Sequence, residues 1–435
     1  MTETGREAAG TLYEGGSIYT GEEGAPRASA LAVLGGRIAA VGETRELRDA
    51  FPGFARVPLD GRTVLPAFTD SHIHVAGLGL SLRQVDLRGA RSLREAAARA
   101  GEAARTARPD EWIRGVGWDK NLWPEGRFPT RDDLDPLTGG CPTALRSKDG
   151  HTVWVNSAAL ALAGITRETP DPEGGTIVRD ARTGEPTGLL AERATYPVIA
   201  LAGRPSPDAL EQAIVDASAM LHRTGVAGVH VVEGGDVLAA FQRLRARGVL
   251  TLRVCMMLPE DALDAAITLG VRSGFGDETL RLGGVKIFSD GALGSQTASM
   301  LEPYEGQPEN RGVVVRTREQ LHALVGRAAA AGIASVVHAI GDRANRWVLD
   351  AIEAARDASG RFGLRHRIEH VQVLHPDDLP RLARLGVIAS MQPIHCTQDR
   401  DIVDRYWGAR GRYAYAFRSL LACGTRLTFG SDAPV

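Results

Sequence analysis

The sequence of 435 residues has only four cysteines, Cys141, Cys255, Cys396 and Cys423, and they lie far apart. No C-x-x-C pair occurs, so neither a disulfide framework nor a cysteine-ligated zinc site is predicted. The first ten residues lack the apolar core of a secretion signal. No run approaches the roughly 18 apolar residues of a membrane span. These absences favour a cytoplasmic protein that does not bind membranes.

An excess of charge of one sign is also missing. Lysine and arginine number 51 against 53 aspartates and glutamates, which gives a formal net charge of −2. Proteins that bind nucleic acid or anionic lipid usually carry a basic surface, so a small-molecule substrate is the better expectation. No nucleotide-binding glycine loop follows a strand-like segment, which disfavours an open doubly wound sheet. The G-x-S-x-G motif of many serine hydrolases is absent too, and Ser289 lacks that context.

The N-terminal region reads as short strands broken by turns. Thr11–Tyr19, Ser29–Leu34 and Arg37–Val41 are strand-like, and Gly35-Gly36 lies where a tight hairpin turn belongs. We therefore predict a small antiparallel β unit over residues 1–62, which we interpret as a partial β-sandwich.

A different pattern occupies residues 63–435, where apolar runs alternate with helical segments rich in alanine, leucine and charged residues. Eight runs are candidate strands: Val64–Val75, Val226–Val232, Thr251–Leu258, Gly284–Ser289, Ala334–Ala339, Arg365–Val371, Val387–Gln392 and Leu427–Ser431. Regular β-α alternation implies parallel strands, and eight repeats predict an α/β fold of the closed (β/α)8 barrel type.

A long insertion, at about residues 78–220, separates the first two candidate strands. Long insertions on such barrels lie in the loops at the catalytic end, so this one is expected to form a lid or a substrate wall. Its aromatic residues Trp118, Trp123 and Trp154 either line a pocket or form the insertion's own core.

The strongest local motif is the run from Asp70 to His74 at the end of the first barrel strand, which reads D-S-H-I-H. Side chains alternate along a strand, so His72 and His74 point to one face and could grip a single ion. Asp70 shares that parity and could orient a ligand histidine from behind. An isolated H-x-H in a strand is nevertheless more often unrelated to metal.

Four further polar residues fall in or at the end of later strands: Lys286, His338, His370 and Asp432. Each has an ordinary alternative alone, since a strand-end histidine is usually a satisfied polar group and a strand-end aspartate usually caps a helix. The lysine is harder to explain, because an unpaired ammonium is costly to bury. Asp290 and Asp342 are interpreted as turn and cap residues. Several polar residues ending different strands of one barrel predict a catalytic site at its mouth.

Together these motifs resemble the amidohydrolase superfamily, and in particular its branch similar to N-substituted formamide deformylases (amidohydrolase family 3). The matching segments are Leu65–His74, Arg146–Ser157, Val285–Gly294, His338–Asn345, His370 and Gly430–Pro434. The chain departs from the family at Ala67, where the usual motif has glycine between Pro66 and Phe68. We expect only a local change of the turn.

The resemblance implies two divalent metal ions and a role for each candidate residue. The first metal is held by His72 and His74, the second by His338 and His370, a lysine carbamate formed from CO₂ on Lys286 bridges both, and Asp432 binds the first and moves protons. Imidazole and carboxylate ligands suit zinc first, although iron or manganese also fit.

The activity implied is hydrolysis of a non-peptide C–N bond, of amide type, by a metal-bridging hydroxide. A metal-dependent esterase or isomerase on the same barrel, or a non-catalytic scaffold, are the alternatives. His151 in the insertion is either a substrate contact or a residue that stabilises its own turn.

Members of this family continue beyond the eighth strand, whereas this sequence stops at Val435. If nothing follows, one barrel flank and the N-terminal β unit would lack partners and expose apolar surface. We then expect an aggregation-prone or poorly active protein unless another subunit, as in a homo-oligomer, covers the gap. Otherwise the sequence is part of a longer chain.

Overall fold

The computed structural model describes residues 10–108, 111–148, 150, 152–172, 175–203 and 205–434. The chain divides into two compact units, Met1–Phe68 and Thr69–Val435. Among the described helices, none combines the length and the apolar character that a bilayer crossing requires.

The N-terminal unit is built on one mixed sheet with a helix. Its elements are β1 (Thr11–Tyr19), β2 (Arg27–Leu34), β3 (Arg37–Gly42), α1 (Thr44–Ala50), β4 (Ala55–Pro58) and β5 (Thr63–Val64). The order is β3-β2-β1-β4, with β5 also paired to β1. The predicted hairpin turn is present between β2 and β3, where both Gly35 and Gly36 have positive φ as a type I′ turn requires.

A small core supports this sheet. Leu12, Ala30, Ala32 and Leu47 are buried together, so α1 covers one face of the sheet. The described residues of this unit form a single sheet, and the second layer of a sandwich stays a prediction.

The second unit contains an eight-stranded parallel sheet, as predicted. Its strands are β6 (Phe68–Ile73), β13 (Val226–Val231), β14 (Arg253–Pro259), β15 (Leu280–Phe288), β16 (Ser335–Ala339), β17 (Arg367–His370), β18 (Ile388–Met391) and β19 (Leu427–Phe429). Each strand pairs with the next in this order. Beyond β19, Asp432 N–H donates to the His72 carbonyl at 2.8 Å, and His74 N–H donates to the Ala433 carbonyl at 2.9 Å. These bonds join the last strand to the first, and the architecture is a (β/α)8 barrel.

A second, six-stranded sheet lies in the chain between the first two barrel strands. Its segment comprises β7 (Val85–Asp86), α3 (Leu93–Ala104), β8 (Ile113–Trp118), α4 (Arg131–Thr138), β9 (Thr143–Ser147), β10 (Thr152–Val155), α5 (Ser157–Leu162), β11 (Gly175–Arg179), β12 (Pro186–Glu192) and α6 (Tyr196–Leu201). The strand order is β11-β12-β10-β9-β8-β7. Trp118, Trp123 and Trp154 are all at most 4% exposed and form its core. The aromatic residues therefore serve mainly to pack the insertion.

The second unit also contains the following helices outside the insertion, most of which pack against the outside of the barrel strands. These are α2 (Val75–Ser81), α7 (Pro207–Arg223), α8 (Gly235–Ala246), α9 (Leu263–Thr268), α10 (Arg318–Ala330), α11 (Asp342–Ala354), α12 (Arg356–Phe362), α13 (Leu379–Leu385), α14 (Pro393–Gln398), α15 (Arg400–Trp407) and α16 (Phe417–Ala422). Short 3₁₀ turns are found at Lys120–Leu122, Arg193–Thr195, Glu260–Ala262, Pro376–Asp378 and Gly408–Tyr413.

Side-chain alternation sends apolar residues outward and polar residues into the barrel. On β15, Val285 and Ile287 pack in the outer core with the helices, so Lys286 between them faces the barrel interior. On β16, Val337 and Ala339 belong to the same outer core, and His338 is turned inward for the same reason. The apolar strands thus place both polar side chains at the barrel axis.

Candidate metal centre

Four histidines and an aspartate meet at the carboxyl ends of the barrel strands. Asp432 Oδ1 lies 3.3 Å from Nε2 of His72 and 3.3 Å from Nε2 of His74. The ring of His370 lies 5.0 Å from that of His72 and 4.6 Å from that of His338, measured between centroids. Residues more than 350 positions apart in the sequence therefore share one small volume.

Hydrogen bonds to one ring nitrogen fix the orientation of three of the histidines. His72 Nδ1 lies 2.5 Å from Glu369 Oε2, His338 Nε2 lies 3.0 Å from the Gly291 carbonyl, and His370 Nδ1 lies 2.8 Å from Gln392 Oε1. Because these partners occupy one nitrogen, the other nitrogen of each ring can act as a ligand.

Two of the residues adopt a backbone conformation that side-chain-bearing residues rarely use. His370 has φ of 74° and Asp432 has φ of 57°. On β17, Ile368 packs in the outer core, and the turned backbone at His370 lets its ring join the cluster. Residues strained in this way cluster at active sites and ligand-binding sites, which marks this end of the barrel as a candidate site.

Lys286 is 5% exposed, and its burial lowers the pKa of the ammonium to about 8. A larger share of this lysine is therefore uncharged near neutral pH than of a lysine in water. Burial also lowers the pKa of His338 to about 3, which keeps that ring neutral and able to bind a cation. For Lys286 and His338, burial therefore favours the neutral forms that can act as ligands.

Glu369 is a functional candidate that the sequence reasoning did not single out. It is fully buried, and Arg367 Nε donates to its Oε1 at 2.5 Å. Although burial opposes ionisation, Arg367 and His72 hold the pKa of Glu369 well below its usual range. The sequence did contain a signal for this role, because an arginine and a glutamate stand two positions apart in a short strand that is otherwise expected to be buried. Glu369 thus orients the His72 ring.

Asp70 has a different contact from the one expected. Its Oδ1 accepts from the backbone N–H of His72 at 3.1 Å and of Ser431 at 3.0 Å. The carboxylate therefore ties the first strand to the segment after the last one, while Glu369 contacts the imidazole.

Asp290 and Asp342, interpreted from sequence as turn and cap residues, both bind backbone N–H groups. Asp290 is buried and accepts from Ser299, Ile340 and Gly341, and Asp342 accepts from Leu301 and Arg343. Burial raises the pKa of Asp290 to about 7. Asp290 Oδ1 also lies 3.5 Å from His338 Nε2, so this carboxylate contacts the His338 ring and holds the segment that follows β16.

A cavity of about 870 Å³ opens onto the cluster. The barrel side contributes the histidines, Lys286 and Asp432, while Trp118, Lys120 and Phe128 of the insertion form another part of its wall. His151, the expected substrate contact, lies outside the described residues.

The donor set fits a divalent cation. The ligand atoms of His72, His370 and Asp432 lie within 4.8 Å of one another, and all three residues are buried. Burial opposes ionisation of Asp432, but His395, His72 and His74 hold its pKa well below the usual range. Imidazole nitrogens with an ionised carboxylate are the ligands of zinc, iron and manganese in proteins. These residues therefore fit the divalent metal ions that the sequence predicts.

A (β/α)8 barrel with a histidine and carboxylate cluster at its carboxyl end defines the class of metal-dependent barrel enzymes. Residues 57–435 match the model of the amidohydrolase family. The chain belongs to this family.

Related proteins agree with the assignment. The chain is 35% identical to the putative amidohydrolase YtcJ of Bacillus subtilis (strain 168), over 98% of this chain and 80% of the relative. It is 30% identical to the N-substituted formamide deformylase of Arthrobacter pascens, over 94% of this chain and 77% of the relative. A crystal structure of a metal-dependent hydrolase from Pyrococcus furiosus superimposes with a TM-score of 0.78 at 31% identity, covering 98% and 86% of the two chains.

Proposed function

We propose that the protein is a metal-dependent hydrolase that cleaves a non-peptide C–N bond of amide type. The observation that carries the proposal is the meeting of Asp432 Oδ1 with Nε2 of His72 and of His74 beside the rings of His338 and His370. We assign the metal ligands as the six residues His72, His74, Lys286, His338, His370 and Asp432, which would hold two divalent ions, with zinc the first expectation.

Divalent ions bound here would polarise a substrate carbonyl and lower the pKa of water near neutral pH. Asp432 is the catalytic residue in this proposal: its carboxylate accepts the proton of the attacking water and returns it to the leaving nitrogen. An amine is a poor leaving group unless it is protonated, so this second transfer is what an amide substrate requires. Glu369 keeps the His72 ring in the tautomer that leaves Nε2 as an acceptor.

Lys286 is proposed to carry a carbamate. Its uncharged amine adds CO₂ and releases one proton, and the carbamate gains two oxygen ligands and a negative charge. The burial of Lys286 supports this role, because burial lowers the pKa of the ammonium by more than the nearby Glu369 and Asp432 raise it, and the neutral amine is the nucleophile. Reloading the metal-free protein with and without bicarbonate tests it through the amount of metal bound.

The substrate is proposed to be a small molecule, which fits a cavity of about 870 Å³. The name of the Arthrobacter pascens relative points to N-substituted formamides as the first compounds to try. We assign the interval of about residues 78–220, and His151 within it, to substrate contact. Residues 1–62 remain proposed as part of a β-sandwich.

The test is a hydrolysis screen with metal-loaded protein on N-formyl amines, cyclic amides and simple esters. Turnover of an N-formyl amine that disappears with a chelator and returns with metal supports the proposal. Turnover of esters alone would favour the esterase alternative. Less than half an equivalent of metal after metal-replete expression, with no turnover, would favour a non-catalytic scaffold.

A further inference from the structure

His395 approaches the candidate centre from outside the six-residue set. It lies on α14, the short helix that follows β18, and its residue is 9% exposed. Its Nε2 lies 3.2 Å from Oδ2 of Asp432, and its ring centroid lies 6.1 Å from that of His370. The ring also lines the cavity. Strand periodicity gives no signal for this residue, because it sits in a helix rather than at a strand end.

The two oxygens of Asp432 have separate surroundings. Oδ1 faces Nε2 of His72 and Nε2 of His74, each at 3.3 Å, whereas Oδ2 faces His395. Within the part of the chain that the structure describes, no other side chain hydrogen-bonds Oδ2. An ionised carboxylate only accepts hydrogen bonds, so the shared hydrogen belongs to His395 Nε2.

A carboxylate held at only one oxygen can rotate about its Cβ–Cγ bond. Such a rotation in Asp432 would move Oδ1 away from the proposed metal position and turn the carboxylate away from the water proton that it is proposed to accept. A hydrogen bond from His395 Nε2 to Oδ2 is a second contact that opposes this rotation. Gln392, which contacts His370, is the first residue after β18, and α14 begins at Pro393, so the same short segment orients both His370 and Asp432.

We propose that His395 is a positioning residue for Asp432: its Nε2–H holds Oδ2 and thereby keeps Oδ1 directed at the metal ligands His72 and His74. This inference rests on the proposed metal centre and deepens it. The hydrogen-bond donor, and not the imidazole ring as such, is the property that matters.

Cobalt(II) binding provides a test that does not depend on a known substrate. Metal-free wild-type protein, His395→Gln and His395→Leu are titrated with Co²⁺ in the presence of bicarbonate, and both the affinity and the visible absorption spectrum are recorded. Glutamine can donate to Oδ2, whereas leucine has similar bulk and no donor. We expect His395→Leu to lose about 10- to 100-fold in affinity and to change the spectrum. His395→Gln should stay close to wild type.

Thermal unfolding of the metal-free proteins checks that each variant folds, and His222→Gln, an exposed histidine bonded to Thr251, is the matched control. If His395→Leu does not fold, His395→Asn replaces it, since its amide is too short to reach Oδ2. Equal Co²⁺ affinity and spectra in wild type and His395→Leu overturn the inference while the metal centre stands. Equal losses in the Gln and Leu variants overturn it in favour of direct coordination by the ring. A wild-type protein that binds no Co²⁺ overturns the metal centre itself.

Discussion

The two large sheets of the second unit satisfy their buried polar groups in different ways. In the insertion, Asn156 is 1% exposed; its Oδ1 accepts from the N–H of Thr143 and Ala159, and its Nδ2 donates to Thr138 and Cys141. At the barrel mouth, buried ionisable side chains contact one another instead. The buried amide of Asn156 has all its hydrogen-bond partners within the insertion. The ionisable groups at the barrel mouth instead leave ring nitrogens available, so this cluster can bind a ligand such as a metal ion.

Removing the barrel lysine should have the largest effect. Lys286→Met keeps the apolar stem but offers no carbamate, so we expect loss of bound metal and a fall in kcat/KM of about three orders of magnitude. Elemental analysis and kinetics on any amide found in the screen measure both. A Lys286→Met protein with two bound ions and undiminished turnover would remove the lysine from the proposed centre.

The next effect is expected at the residue behind the first histidine. Glu369→Gln removes the charge that orients His72, and we expect metal affinity to fall about 10- to 100-fold. Because Arg367 then loses its buried partner, stability should also fall, by about 3–5 kcal/mol. Metal titration measures the loss of affinity, and denaturant unfolding of the metal-free protein measures the loss of stability. Lower stability with unchanged affinity would show that Glu369 merely balances Arg367.

A buried histidine away from the mouth should contribute to the loss of stability in acid. His366 Nδ1 accepts from Ser335 N–H at 3.0 Å, Ser359 Oγ contacts its Nε2, and burial lowers its pKa from 6.5 to about 4. Between these values the unfolded chain binds a proton that the folded protein does not. The contribution of His366 to the free energy of unfolding therefore falls as pH drops from 6.5 to 4, by about 3 kcal/mol.

His366→Gln cannot titrate, so its unfolding free energy should depend less steeply on pH over that window than that of the wild type. Denaturant unfolding of the metal-free proteins at several pH values measures the slopes. Parallel curves would mean that His366 does not contribute.

The smallest effect is expected in the insertion, and it should be confined to stability. Asn156→Ala leaves the buried N–H groups of Thr143 and Ala159 without their acceptor, at a cost of about 1–3 kcal/mol. Metal affinity should not change. Weaker metal binding in this variant would contradict the separation of roles between the two sheets, because a change in the insertion would then affect the metal site of the barrel.

Much of the barrel could be predicted from local pattern. All eight candidate strands are strands, and their observed ends differ by a few residues, as at β6, which begins at Phe68 rather than at Val64. The Gly35-Gly36 turn was predicted because only glycine readily takes two successive positive φ values. Asp70 shows the limit of local pattern, because nothing in the sequence indicated that its carboxylate accepts hydrogen bonds from the backbone N–H groups of His72 and Ser431.

The sequence by itself determined the period of the strands, the inward placement of Lys286 and His338, and the family motifs, because alternation and chain order are local properties. Only the tertiary structure decided that Glu369 faces His72 and that His395 faces Asp432. Those contacts join side chains from different strands and a helix, and their distances depend on how the barrel closes rather than on any spacing along the chain.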